Sequence, residues 1–126
     1  MISLQEIVNN QKQATFYFGD DPITISYRPF SLGDGERKRF LSLTTEFVQE
    51  AHAPTGKNHR EILKEWFDKL SAEWDVINDE GEVYPMLEAV NDESLPMVIW
   101  YSIYFELTKQ LRALPFNALT DEIKKK

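Results

Sequence analysis

The residues best suited to chemistry are few. His52 and His59 are the only histidines among 126 residues, and there is no cysteine. A metal site needs three or four convergent ligands, and only carboxylates such as Glu50 and Glu61 stand near the two histidines in sequence. Both imidazoles are therefore expected at the surface, flanking a loop. The absence of cysteine excludes disulfides and thiolate chemistry. Carboxylates come in adjacent pairs, Asp20-Asp21, Asp79-Glu80 and Asp92-Glu93. General acid–base catalysis needs two carboxyls in one cleft with separated pKa values, whereas neighbours in turns are ordinary solvated turn formers. The run Asn78-x-Glu80-x-Glu82 begins like a calcium loop, but it lacks the following glycine and the later bidentate glutamate. No phosphate-binding glycine loop and no G-x-S-x-G nucleophile turn occurs. The expectation is a binding protein, not an enzyme, without metal or cofactor.

The elements that would position these groups are legible from spacing. Ser3 to Asn10 reads as a short helix with Leu4, Ile7 and Val8 on one side. Ala14–Phe18 and Ile23–Tyr27 are rich in β-branched and aromatic residues, and Gly19-Asp20-Asp21-Pro22 separates them. That pattern predicts an antiparallel hairpin, with Ile23, Ile25 and Tyr27 on one face. Ser31 and Asp34 suggest a capping box. Phe40, Leu43, Phe47 and Ala51 then repeat at helical spacing, with a helix expected near Glu36–Gln49 because Gly33 and Gly35 weaken its first turn. Ala53-Pro54-Thr55-Gly56-Lys57 is a loop. Asn58 and Glu61 suggest a second capping box, opening a helix near His59–Leu70 with a stripe of Ile62, Leu63, Trp66, Phe67 and Leu70. From Trp74 to Pro85 a short apolar run, an acidic turn at Gly81 and a return through Val83 and Tyr84 predict a small β-ribbon or ordered loop. Ser94 is the expected cap of the last helix, with Pro96 in its first turn, and Pro115 follows its end near Arg112.

These elements imply an α+β, mainly α fold: an N-terminal β-hairpin packed on a small helical bundle with a central apolar C-terminal helix. One globular domain covers 1–115, and 116–126 form a short charged tail. The length fits a single domain, and 42% apolar residues suffice for a core. A formal charge of −7 repels phosphate backbones, which argues against nucleic-acid binding and suits a basic partner. The N-terminus lacks a basic region followed by a long apolar stretch, and no segment approaches the ~20 apolar residues of a bilayer span. A cytoplasmic protein, away from membranes, is the expectation.

Two features invite binding. In the last helix Val98, Ile99, Trp100, Tyr101, Ile103, Tyr104, Phe105 and Leu107 point all round the wheel. Such a helix must be covered on every side, either by the hairpin and preceding helices or in part by a partner, since large aromatics dominate interface energetics. The second is charge. Asp68 to Glu93 holds nine acidic residues and one basic, Lys69. This is a solvated acidic face, or one that docks a basic or amphipathic segment.

The order of Ile23-Thr24-Ile25-Ser26-Tyr27-Arg28-Pro29, a charged helix, Leu70-Ser71-Ala72-Glu73-Trp74-Asp75-Val76, Asp79-Glu80-Gly81, Tyr84-Pro85-Met86 and Glu93-Ser94-Leu95-Pro96 resembles the tail assembly chaperones of long-tailed bacteriophages. The likeness spans residues 22–112 through short, loose motifs. It implies a non-catalytic factor in the host-cell cytoplasm. Such a factor binds the tape-measure protein, helps recruit tail-tube protein subunits and is absent from the mature virion. Trp66, Trp74, Trp100, Tyr101 and Tyr104 are the contact or scaffold candidates. Self-association is left open. The alternative is a small acidic inhibitor or nucleic-acid mimic blocking a host enzyme. Members of the resembled family often carry a ribosomal frameshift near the end of the gene, and Lys124-Lys125-Lys126 is compatible with an adenine-rich slippery run.

Overall fold

A computed structural model describes residues 1–53 and 58–117, with only the backbone described for residues 51 and 115–117. Most of the expected loop after Ala53, and the tail from Ala118 with its lysines, lie outside these residues. The elements are α1 (Leu4–Val8), β1 (Lys12–Phe18), β2 (Asp21–Tyr27), a 3₁₀ turn (Pro29–Ser31), α2 (Asp34–His52), α3 (His59–Lys69), β3 (Glu73–Trp74), α4 (Met86–Ala89) and α5 (Met97–Asn117). The fold is thus α+β and mainly helical, a hairpin packed on a helical bundle. Among the described residues no helix is long and apolar enough to cross a membrane.

Local chemistry explains the hairpin. Phe18 pairs with Asp21, leaving the two-residue loop Gly19-Asp20. Gly19 sits at φ +65°, as a type II′ turn requires of its first loop residue, and this turn matches strand twist. Ala14, Ile25 and Tyr27 on the inner face are almost fully buried. Burial, and then the Glu106 carboxylate, push the Tyr27 phenol up to about 12. A third strand, unforeseen in the sequence reading, adds to β2 through Ile25–Trp74 and Ser26–Glu73.

Two helix starts differ from expectation. Ser31 does not cap α2. It lies in the 3₁₀ turn, with its hydroxyl 2.7 Å from the Arg28 carbonyl and 2.9 Å from that of Lys69. The N-cap is Gly33, whose N–H donates to the Glu36 carboxylate at 3.4 Å. Glycine has no side chain to return the bond, so the helix starts at Asp34 on half a capping box. The hydrogen bonds from Lys69 and from Gly33 hold the Glu36 carboxyl below the ordinary range. Ser94 likewise does not cap α5. Its N–H and hydroxyl both donate to Asp92 Oδ1, at 3.0 and 2.6 Å, and the helix starts at Met97. The Asn58 cap does form, accepting from the Glu61 N–H.

Helix ends carry equally local reasons. After α3 the Ser71 N–H reaches the Asp68 carbonyl at 3.0 Å and the Ala72 N–H reaches that of Phe67 at 2.8 Å. This is a Schellman motif, with serine at φ +51° where glycine is usual. Helix α5 passes the expected end at Arg112 and continues through Pro115 to Asn117. Proline supplies no N–H to the carbonyl four residues back. That carbonyl belongs to Leu111, and the Arg37 guanidinium donates to it at 2.9 Å. A side chain from α2 replaces the bond that Pro115 removes.

The core is aromatic. Trp100, Ile103, Tyr104, Leu107 and Leu111 form the buried face of α5. Phe40 meets Tyr104 with ring centroids 4.9 Å apart and Trp66 at 5.5 Å, and Phe47 stands edge-on to Tyr104 at 4.7 Å. The Tyr104 hydroxyl donates to the Phe40 carbonyl. The hairpin and the preceding helices do not cover α5 on every side, since Val98 is 64% and Phe105 36% exposed. Both lie opposite the buried Trp100–Tyr104 face of the helix. Helix α1 forms as expected, but none of its residues is buried.

Candidate protein-binding surface

The five aromatic candidates divide sharply. Trp66, Trp74, Trp100 and Tyr104 are core residues, each less than a tenth exposed. They act as scaffold, and Trp74 also lines a surface groove. Trp100 tilts against Trp74 at 5.2 Å, and the Trp74 indole N–H donates to the Tyr84 carbonyl. The Trp100 indole N–H is buried with no hydrogen-bond partner among the described residues. Tyr101 alone is half-buried.

Tyr101 leads to the histidines. His52 is exposed, as expected, but His59 is only 3% exposed, which corrects the surface reading. Its ring packs on Phe47 at 4.8 Å, Nδ1 lies 3.0 Å from the Tyr101 hydroxyl, and Nε2 lies 3.8 Å from Glu46 Oε1. The imidazole ties α2, α3 and α5 together. Beside it is a polar cleft of about 530 Å³ lined by Glu50, Arg60, Glu93 and Tyr101. Arg60 is committed there to structure: it donates to the carbonyls of Val90 and Asp92 at 3.1 Å and of Leu95 at 2.6 Å. Among the described residues no group of three His, Asp or Glu stands together as a metal ligand set.

The larger opening lies on the opposite side of Trp100, a groove of about 850 Å³ between the start of β2 and the segment after β3. It exists because β3 is short. The Thr24 N–H donates to the Asp75 side chain at 3.0 Å instead of to a strand carbonyl, so the chain leaves the sheet at Asp75. It then folds on itself as the expected acidic ribbon. Ile77 bridges Val83, the Asn78 N–H donates to the Glu82 carbonyl at 2.7 Å, and the Tyr84 N–H donates to that of Val76 at 2.9 Å. Gly81 turns the ribbon at φ +81°, and Asn78 Oδ1 accepts the N–H groups of Glu80 and Glu82. The ribbon is anchored behind by the Tyr84 hydroxyl, which donates to Asp92 Oδ2 at 3.0 Å. Hydrogen bonds from Ser94, and then from Tyr84, hold the Asp92 carboxyl below its ordinary range.

The groove's floor is apolar: Ile23, Trp74, Val76, Leu95 and Ile99. Phe18 and Ile77 stand at its walls, 42% and 59% exposed. Three carboxylates line it, Asp21, Asp75 and Asp79, and among the described residues no Lys, Arg or His does. A smaller apolar cleft of about 420 Å³ lies on the other flank of the ribbon, beside Val83, Pro85 and Met86. Neither Phe18 nor Ile77 was singled out in the sequence. The usable signal was an apolar residue at a turn flank, here beside Gly19 and Asn78. No family model, curated protein or solved structure matches the chain.

Proposed function

We propose that this chain is a non-catalytic tail assembly chaperone of a long-tailed bacteriophage. In this reading it works in the host-cell cytoplasm, binds the tape-measure protein, helps recruit tail-tube subunits and leaves before the virion is complete. One observation carries the proposal. The short segments through which the sequence resembles that family converge on a single groove: Ile23 from the hairpin, Trp74 to Val76, Asp79, Tyr84 and Leu95 all line it. A tape-measure chain is a long amphipathic helix that exposes apolar stripes until tube subunits cover it. A factor that protects it needs an apolar surface of modest affinity, so that the tube protein displaces it. An open groove with exposed walls suits that task better than a closed pocket.

The test is co-expression with the tape-measure protein of the same phage. The soluble fraction of that protein should rise with this chain present and fall without it. Equal aggregation in both cases, with other tail factors held constant, removes the proposal. Recovery of this chain from purified virions would instead make it a structural tail component. A salt-sensitive complex with a host nuclease would favour the acidic-inhibitor alternative.

A further inference from the structure

We infer that the groove beside β2 takes a basic amphipathic helix of a partner, its apolar anchors in the floor and its Lys or Arg side chains against Asp21, Asp75 and Asp79. The inference rests on the binding role proposed above and names the chemistry of the bound segment.

Three observations lead to it. The first is the charge of the rim. Among the described residues the groove is lined by three carboxylates and no cation, Asp20 and Glu80 adjoin them in the chain, and Glu73 and Glu82 stand within three residues of them. An apolar ligand of net negative charge would be repelled on approach, and one of positive charge steered in. The second is the sheet edge. An extended segment would bind by adding a strand to β2. The Thr24 N–H points to the groove side and is already taken by Asp75. Backbone direction alternates along a strand, so residue 22 faces the same side, and Pro22 has no N–H to donate. The edge is thus blocked in the way natural edges are, and recognition must come from side chains. The third is size. A volume of about 850 Å³ is at the upper end of ordinary ligand clefts, enough for the anchors on one face of a helix but not for a globular domain.

The occupant is not a second copy of this chain. On α5 only Lys109 and Arg112 stand on the side of the exposed Val98 and Phe105, and the chain's formal charge of −7 opposes close approach of two acidic rims.

The experiment uses two synthetic peptides of about 18 residues that share one leucine stripe at helical spacing. One carries lysines beside the stripe and the other glutamates. Fluorescence anisotropy with the full chain should show saturable binding of the lysine peptide, at least about tenfold tighter than the glutamate peptide, weakening as salt rises from about 0.05 to 0.3 M. The double variant Asp21→Lys/Asp79→Lys should reverse the preference. Ile77→Glu, at a position 59% exposed, should weaken the lysine peptide's binding at least about tenfold while leaving the circular dichroism unchanged. Equal binding of the two peptides, or an unchanged preference in the charge-reversed variant, overturns the inference. So does loss of peptide binding as the chain self-associates at higher concentration, because the groove would then serve a second copy. Failure here separates from failure of the chaperone role. If the tape-measure protein is kept soluble equally well by the wild type and by both variants, the role stands and the groove assignment falls. If the peptides obey the charge rule while the tape-measure protein aggregates, the groove stands and the role falls.

Discussion

The junction of α2, α3 and α5 and the gap between β2 and the acidic ribbon are made of similar residues with opposite results. Each draws on aromatic and β-branched side chains from three elements. At the helical junction Phe40, Phe47, Trp66 and Tyr104 meet ring to ring and exclude solvent. At the gap a polar side chain intervenes. Asp75 takes the N–H that a continued β3 would have paired, the backbone departs, and Phe18 and Ile77 remain at the walls of a groove. The difference teaches that most aromatic rings mark the core of this protein, while Phe18 and Trp74 line the open groove. The accessible apolar surface is defined by where pairing stops.

The sharpest way to break this contrast is to empty the closed side. Trp100→Ala should cost about 3–5 kcal/mol, as large truncations in packed cores do, read as a fall in the urea midpoint. Trp100→Phe should cost much less, because it keeps most of the ring volume and loses only an indole N–H that has no partner among the described residues. Equal losses in the two variants would mean that the ring's volume is not what closes the core. Next in size is Arg37→Met, which should cost about 1–3 kcal/mol by leaving the Leu111 carbonyl without a donor. Adding Pro115→Ala restores a backbone N–H to that carbonyl, so the double variant should recover most of the loss. Additive costs would show that Arg37 matters for another reason. Ser71→Gly should raise stability by up to about 1 kcal/mol, because φ +51° costs serine more than glycine. A lower melting temperature would contradict the Schellman geometry.

Acid should act on the anchor of the ribbon. A carboxyl whose folded pKa is lowered contributes stability above the unfolded value and loses it as pH falls through the folded one. Asp92 is such a group, so Asp92→Asn should be less stable than wild type at neutral pH, with the gap closing below pH about 4. A gap independent of pH would refute the assignment. At the alkaline end the sign is reversed for Tyr27. Its raised pKa supplies stability fully present below about pH 10 and lost as pH rises through about 12, and absorbance titration should show this phenol ionising with unfolding. The smallest expected effect is at the groove wall. Ile77→Glu should leave the urea midpoint within about 0.5 kcal/mol of wild type while removing binding, and a large destabilisation would mean that the groove is part of the core.

Much of the fold was legible because it depends on near neighbours. The hairpin follows from Gly19 between two β-rich runs, the start of α3 from Asn58, and the ribbon from Asn78 and Gly81. Errors arose where a neighbour competed for the same group. Ser31 looked like a cap until the Lys69 carbonyl, 38 residues away, lay within reach of its hydroxyl, and Ser94 was held instead by Asp92. Helix α5 was read too short because Pro115 ordinarily ends a helix, and a rescuing donor from α2 cannot be seen in sequence. The site was barely legible. The five aromatics chosen for their size were mostly buried for the same reason, since large rings lower the free energy most when removed from water.

By itself the sequence determined the hairpin, the three longer helices, the apolar stripes of α2 and α3, the acidity of the segment from Asp68 to Glu93, and the absence of any thiol. Those properties are set by residue chemistry and by periodicities of two and 3.6. Tertiary structure alone decided that His59 is buried, that Val98 and Phe105 face outward, and that Asp75 opens a groove. The groove depends on Thr24 and Asp75, 51 residues apart in the chain, and the continuation of α5 through Pro115 on Arg37 and Leu111, 74 apart. Such a pair forms when packing of the whole core brings it within hydrogen-bond distance, and no local pattern of residues encodes that distance.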